Sequence, residues 1–173
     1  MSTRSTIGIE LAKGKYVYIY CHSDGYLTYN GAMLLDHYKD REKIQKLIAL
    51  GDISVLERKV DPDPKKPHGF RYDNRQEDVV VAYGRDRGET DVNARVGSLL
   101  DMCGGWIEYV YVYTLDNKWL YTTTYGDPKL KDVKKDLDKE WKKQGLKHRP
   151  KDFYGFMYGD RLEEEKKKQK EEK

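Results

Sequence analysis

The sequence predicts an α+β domain: an antiparallel sheet with helices packed on one face, in the element order ββ-αα-β-α-ββ-α. Three observations carry this. Residues 5–21 and 106–125 alternate apolar and polar side chains with the period of two that marks half-buried strands. Residues 41–50 and 128–144 carry apolar stripes at helical spacing. Strands and helices interleave without the strict βαβ alternation of a parallel sheet, and no internal repeat is visible.

The elements follow in order. Ser5–Leu11 is a strand with Ile7, Ile9 and Leu11 on one face, and Gly14 sits in the turn to a partner over Tyr16–Cys21. His22–Tyr29 holds a turn at Ser23, Asp24 and Gly25. Asn30 precedes a short helix over Gly31–Tyr38. Asp40 caps a second, Arg41–Leu50, closed by Gly51 and buried through Ile44, Leu47 and Ile48. Asp52 starts a further helical turn through Leu56. Residues 60–77 hold Pro62, Pro64, Pro67 and many charges, the composition of a long exposed loop. Asp78–Tyr83 reads as a strand, Gly84–Thr90 as a charged turn and Val92–Cys103 as a helix ended by Gly104 and Gly105. Trp106–Leu115 and Trp119–Tyr125 form a hairpin. Asp127 and Pro128 open a helix to Gln144, with Leu130, Val133, Leu137 and Trp141 as its stripe. Phe153, Tyr154, Phe156 and Tyr158 pack back on the domain. Together these make one domain over 1–160 and a charged tail over 161–173, a solvated helix with Glu–Lys pairs.

Composition narrows the function. Of 173 residues 36% are charged and 38% hydrophobic, yet 15 tyrosines supply enough aromatic bulk for a core. No apolar run is long enough to span a membrane and no leader-like apolar segment opens the chain, so no membrane partner is expected. Cys21 and Cys103 read as reduced thiols of a cytosolic protein. Residues 127–173 hold 16 basic against 12 acidic residues, leaving 17 against 18 in the rest. The near-neutral globular part argues against nucleic acid as a partner.

Three constellations are candidates for a site. Tyr16, Tyr18 and Tyr20 occupy one face of their strand, and Tyr109, Tyr111 and Tyr113 repeat the pattern, with aliphatic residues opposite. The aliphatic faces are expected under the helices. The tyrosines then form a cross-strand ladder, a stacking platform or a homodimer face. In the turn Cys21-His22-Ser23-Asp24-Gly25-Tyr26, Cys21 and His22 point to opposite faces and cannot serve each other. His22 oriented by Asp24 is the weak catalytic candidate; the alternative is a plain Asp–Gly turn with a hydrogen-bonded histidine. No metal spacing and no cofactor motif is present. In Gly84-Arg85-Asp86-Arg87-Gly88-Glu89 two guanidiniums can fork an anion, or close an internal ion-pair turn.

The segments STRSTIGIE (Ser2–Glu10), YCHSDGY (Tyr20–Tyr26), LLDHY (Leu34–Tyr38), REKIQKLIALGDIS (Arg41–Ser54) and AYGRDRGET (Ala82–Thr90) resemble a group of small accessory proteins of tailed bacteriophages and prophages. The group carries Trp where Ser23 stands. The resemblance implies a viral protein made in the host cytoplasm, acting on a host or defence factor. The expected function is binding: sequestration of an anionic, nucleotide-like ligand. In that reading Arg4, Arg85 and Arg87 hold phosphates, Tyr18, Tyr20 or Tyr26 stack a base, and His22 or Asp24 read polar edges. One alternative is inhibition of a host protein through the tyrosine face or loop 60–77. The other is a small hydrolase using His22 and Asp24.

Overall fold

β1 (Ser5–Ala12) and β2 (Lys15–Cys21) form an antiparallel hairpin with Ile7 opposite Ile19 and Gly8 opposite Tyr18. The computed structural model describes residues 2–150 and 160–172. The expected packing of Phe153, Tyr154, Phe156 and Tyr158 lies outside the described residues. A π-helical turn, Leu27–Gly31, leads into α1 (Ala32–His37), and α2 (Arg41–Ala49) follows. The Asp40 carboxylate accepts the N–H of Glu42 and so caps α2. Gly51 turns the chain at φ 76°, and a Cβ there would stand 2.2 Å from the carbonyl oxygen of Val92, so conformation and space both demand glycine.

Five local expectations are corrected. Asp52 starts no helical turn; Ile53–Val55 is strand β3, which carries Ile53 fully buried into the core. β4 is only Val81–Ala82, and the expected charged turn after it winds as a short helix, α3 (Tyr83–Arg87), closed by Gly88. The helix expected over Val92–Cys103 splits into β5 (Arg95–Gly97) and the four-residue α4 (Leu99–Met102). Ser98 and Asp101 form a reciprocal capping box, which starts the helix at Leu99 and leaves the preceding segment extended against β2. After the hairpin of β6 (Tyr109–Tyr113) and β7 (Trp119–Thr123), the chain passes through β8 (Lys131–Asp132) into α5 (Val133–Lys143). Asp132, not Asp127, is the cap, accepting the N–H of Lys135.

The strands form one sheet in the order β4-β3-β2-β1-β6-β7-β8, with β5 alongside the first half of β2. The class is α+β, but the sheet is mixed: β1 pairs β6 in parallel and β2 pairs β3 in parallel. The residues between β2 and β6, including α1 and α2, provide the long crossovers that parallel pairing requires.

Each face of the sheet has its own cluster. Ile7, Ile19 and Ile53 meet Leu34, Ile44 and Leu47 from α1 and α2 and Trp141 from α5. Fully burying an aliphatic side chain of this size stabilises by roughly 1.5–3 kcal/mol. On the other face Tyr16, Tyr18, Val110 and Val112 pack with Met102 of α4 and with Ile107.

This arrangement overturns the tyrosine ladder. β1 lies between β2 and β6, and parallel pairing sets Ile7 beside Tyr111. Tyr109, Tyr111 and Tyr113 therefore share the helix-covered face, opposite to Tyr16, Tyr18 and Tyr20. Tyr111 is fully buried, its hydroxyl donating to the Gly25 carbonyl at 2.6 Å. The satisfied hydroxyl is what permits a tyrosine where the alternation suggested an open face.

Residues 61–77 contain neither helix nor strand. Gln76 knits them: its amide nitrogen donates to the carbonyls of Asp63, Lys66 and Pro67, and its amide oxygen accepts the N–H of Asp63. The tail forms α6 (Asp160–Glu171), which has more than a solvated surface. Leu162 is buried, and Gln169 accepts the N–H of Lys147 at 2.7 Å while donating to the His148 carbonyl.

Candidate functional site

Arg4 and Thr6, Tyr18 and Tyr20 of β2, Asp52 and the residues of and around α4 enclose a cleft of about 380 Å³ on the sheet face away from α1, α2 and α5. The period of two puts Arg4, Thr6 and Gly8 on this face from one strand, and Tyr16, Tyr18 and Tyr20 from the next. Gly8 makes room for the α4 cover, since a Cβ there would meet Cε of Met102 at 2.8 Å. Thr6 ties that cover down, its hydroxyl donating to the Met102 carbonyl at 2.9 Å. The carbonyl of Arg4 accepts the N–H of Glu108 and fixes the mouth of the cleft where β6 begins.

Arg4, Tyr18 and Tyr20, three of the ligand candidates, line the cleft together. Nε of Arg4 donates to the Tyr20 hydroxyl at 3.1 Å. Among the described residues no carboxylate pairs with Arg4, and its terminal nitrogens are not engaged. Across the cleft Arg95 grips Asp52 with two nitrogens, at 3.0 and 3.3 Å, and its guanidinium lies 5.4 Å over the Tyr18 ring. Asp52 also accepts the N–H of Tyr20, and Asp101 accepts the N–H of Ser98. Both carboxylates are thus occupied by internal donors. Trp106 stands at the rim with 81% of its surface exposed, beside Met102 and Ile107.

The other candidates lie elsewhere. His22 adjoins the cleft through Tyr20, whose hydroxyl is 2.7 Å from its Nδ1. Burial and the nearby Arg4 charge lower the imidazole pKa below its ordinary value. Asp24 takes a left-handed backbone, φ 56°, in the turn beyond. Tyr26 packs edge-on against Tyr109, so it belongs to the helix-covered side of the sheet. Cys21 is on that side too, its thiol pushed up to about 12 by burial, and is no nucleophile.

Arg85 and Arg87 do not line the cleft. Arg85 donates to the carbonyls of Val60 and Val80 and to both oxygens of Asp86, which makes it a clamp on the base of the 61–77 segment. Arg87 pairs with Glu89 and lies over the rings of Phe70 and Tyr83. Of the two readings of this turn, the internal ion-pair turn is the one present: Asp86 and Glu89 take the two guanidiniums.

Sequence reasoning missed Arg95, Asp52, Met102 and Trp106. For Arg95 a signal existed: Ser98 followed by Asp101 at capping-box spacing starts the helix there and frees Arg95 for a strand. No comparable signal marks Asp52, whose role depends on β3 pairing with β2.

Among the described residues no group of His, Cys, Asp and Glu is placed to hold a metal ion. Cys21 and Cys103 are both free thiols. No described helix is long and apolar enough to cross a membrane. No protein-family profile, curated protein or solved structure matches the chain.

Proposed function

We propose that this chain is a binding protein that sequesters a small anionic, ring-bearing ligand of nucleotide-like chemistry in the Arg4–Arg95 cleft. The observation that carries the reading is Arg4: a guanidinium anchored through Nε, with its terminal nitrogens unengaged, in the same cleft as the exposed Trp106. A planar fork of donors suits an oxyanion, and an exposed indole suits a base or another flat ring. The cleft falls in the usual size range of small-ligand sites, roughly 300–1,000 Å³. Its carboxylates are held by internal donors, which favours binding over proton transfer. In this reading, which the resemblance to phage accessory proteins supports, the sequestration would act in an infected host cytoplasm.

A thermal-shift titration of the full chain with AMP, adenosine and inorganic phosphate tests this. Ligand at a hundredfold excess over Kd stabilises the native state by about 2.7 kcal/mol. AMP should raise Tm, adenosine should raise it less, and AMP should be recovered intact. Arg4→Met should remove the AMP shift. Equal shifts in the parent and Arg4→Met chains overturn the assignment.

A second reading, inhibition of a host protein, draws on the 61–77 segment. It exposes Phe70 and Tyr72, each beneath an arginine. Aromatic and arginine side chains are the common anchors of protein interfaces. The hydrolase alternative has less support, because Tyr20 occupies Nδ1 of His22.

A further inference from the structure

We propose that a second cleft, where α1 and the start of α5 meet the ends of β6 and β7, binds a small organic anion with a flat apolar body. It encloses about 350 Å³ and shares no lining residue with the Arg4 cleft. Its floor is Leu35, Tyr113 and Trp119, the two rings tilted by 56° with centroids 5.1 Å apart. Both polar handles of that floor are consumed inside the fold. Nε1 of Trp119 donates to the Tyr38 carbonyl at 2.9 Å, and the Tyr113 hydroxyl donates to the Lys39 carbonyl at 3.3 Å. The floor itself is therefore hydrocarbon and ring surface, which rewards an apolar body; the Arg41 guanidinium stands 4.9 Å from the Tyr113 ring centre and the Asn117 amide it bonds lies in the wall.

Lys39, Lys118 and Lys134 surround this floor, all exposed. Lys118 has a loose partner in Asp116 at 3.8 Å, while Lys39 and Lys134 form no ion pair among the described residues. The one carboxylate in the lining, Asp132, is engaged as the cap of α5. Three ammonium groups over an apolar floor select an anion by charge and a flat hydrophobe by shape. A ligand with only one of these properties gains half of the site. A hydrated ion leaves the floor bare, and a neutral arene leaves the lysines unpaired.

The probe is 2-naphthoate, titrated into the full chain and followed by the indole N–H resonances of Trp106, Trp119 and Trp141, each assigned by a Trp→Phe variant. Trp119 should shift saturably while the fully buried Trp141 stays in place; the titration is repeated in Arg4→Met, because the Arg4 cleft also takes ring-bearing anions and Trp106 reports on it. The neutral 2-naphthamide should bind at least tenfold more weakly. Lys39→Ala with Lys134→Ala should weaken naphthoate at least tenfold, and the two Lys→Arg changes should restore it. These lysines are exposed, so the variants should keep the parent spectrum elsewhere. Arg4→Met should leave the Trp119 shift and its midpoint unchanged, which separates this site from the AMP reading. A Trp119 resonance that does not move, equal affinity for acid and amide, indifference to the double alanine variant, or loss of the Trp119 shift in Arg4→Met each overturns the proposal.

Discussion

The hydroxyl of Tyr20 lies 2.7 Å from Nδ1 of His22 and 3.1 Å from Nε of Arg4, so one phenol oxygen joins an imidazole to a guanidinium. A guanidinium only donates, so the Tyr20 oxygen accepts from Arg4, and its own proton can go to an unprotonated Nδ1 of His22. His22 is then the neutral tautomer with its own proton on Nε2. A protonated ring would place a second positive charge, partly buried, beside Arg4. Tyr20→Phe should cost about 1 kcal/mol in urea unfolding, since two polar atoms lose their partner in a half-open site. NMR titration of the parent should place the His22 pKa below its ordinary value. The folded state then disfavours the proton, so stability holds above about pH 6.5 and falls as the pH drops through it. His22→Gln should flatten that part of the pH profile.

Gly8→Ala should destabilise by about 1–3 kcal/mol in urea or thermal unfolding, the usual cost of overpacking. The new methyl would face Cε of Met102 at 2.8 Å, the Val17 carbonyl oxygen at 2.9 Å and Cβ of Tyr18 at 3.0 Å. Met102 can swing aside, but the Val17 backbone cannot. Adding Met102→Ala should therefore fail to restore stability.

Arg85→Met should loosen the 61–77 segment. The parent guanidinium satisfies the carbonyls of Val60 and Val80, and its bonds help hold the Asp86 carboxyl below its usual range despite burial. Limited proteolysis should cut the variant within 61–77 at least several-fold faster than the parent. AMP affinity should not change, because Arg85 does not line the Arg4 cleft.

Glu57 should make the protein less stable as the pH rises. Burial, reinforced by the Asp78 charge, pushes its carboxyl up to about 7. The folded state therefore holds the proton more tightly than the unfolded chain. Its contribution is full below about pH 4.5 and is lost as the pH climbs through 7. The change in urea midpoint from pH 5 to pH 8 should be shifted toward a loss in the parent relative to Glu57→Gln, the opposite His22 contribution being common to both chains. Identical pH dependence in the two chains would refute the assignment.

What the sequence reveals and hides has a physical pattern. The β1–β2 and β6–β7 hairpins, α2 with its Asp40 cap and the buried stripe of α5 follow from local periodicity, and all are present. The two tyrosine stripes show where locality ends. Each strand alternates as expected, but which side is wet depends on strand order, and the parallel β1–β6 pair is set by residues about a hundred positions apart. The cleft was half legible for the same reason. Arg4, Tyr18 and Tyr20 are brought together by one hairpin. Arg95 and Trp106 arrive from α4's flanks, and Asp52 arrives through the brief β3 pairing.

The central place of β1 also governs how the chain must be assembled. One edge of β1 is satisfied early by the β2 hairpin, while its other edge pairs with Tyr109–Tyr113. During synthesis, at about 5–20 residues per second, that second edge stands open for at least several seconds after the hairpin emerges. An open apolar strand edge is a template for foreign strands, so nascent chains are most aggregation-prone in this interval. The final sheet closes only on a high-contact-order step, which makes β6 docking the expected slow phase of folding.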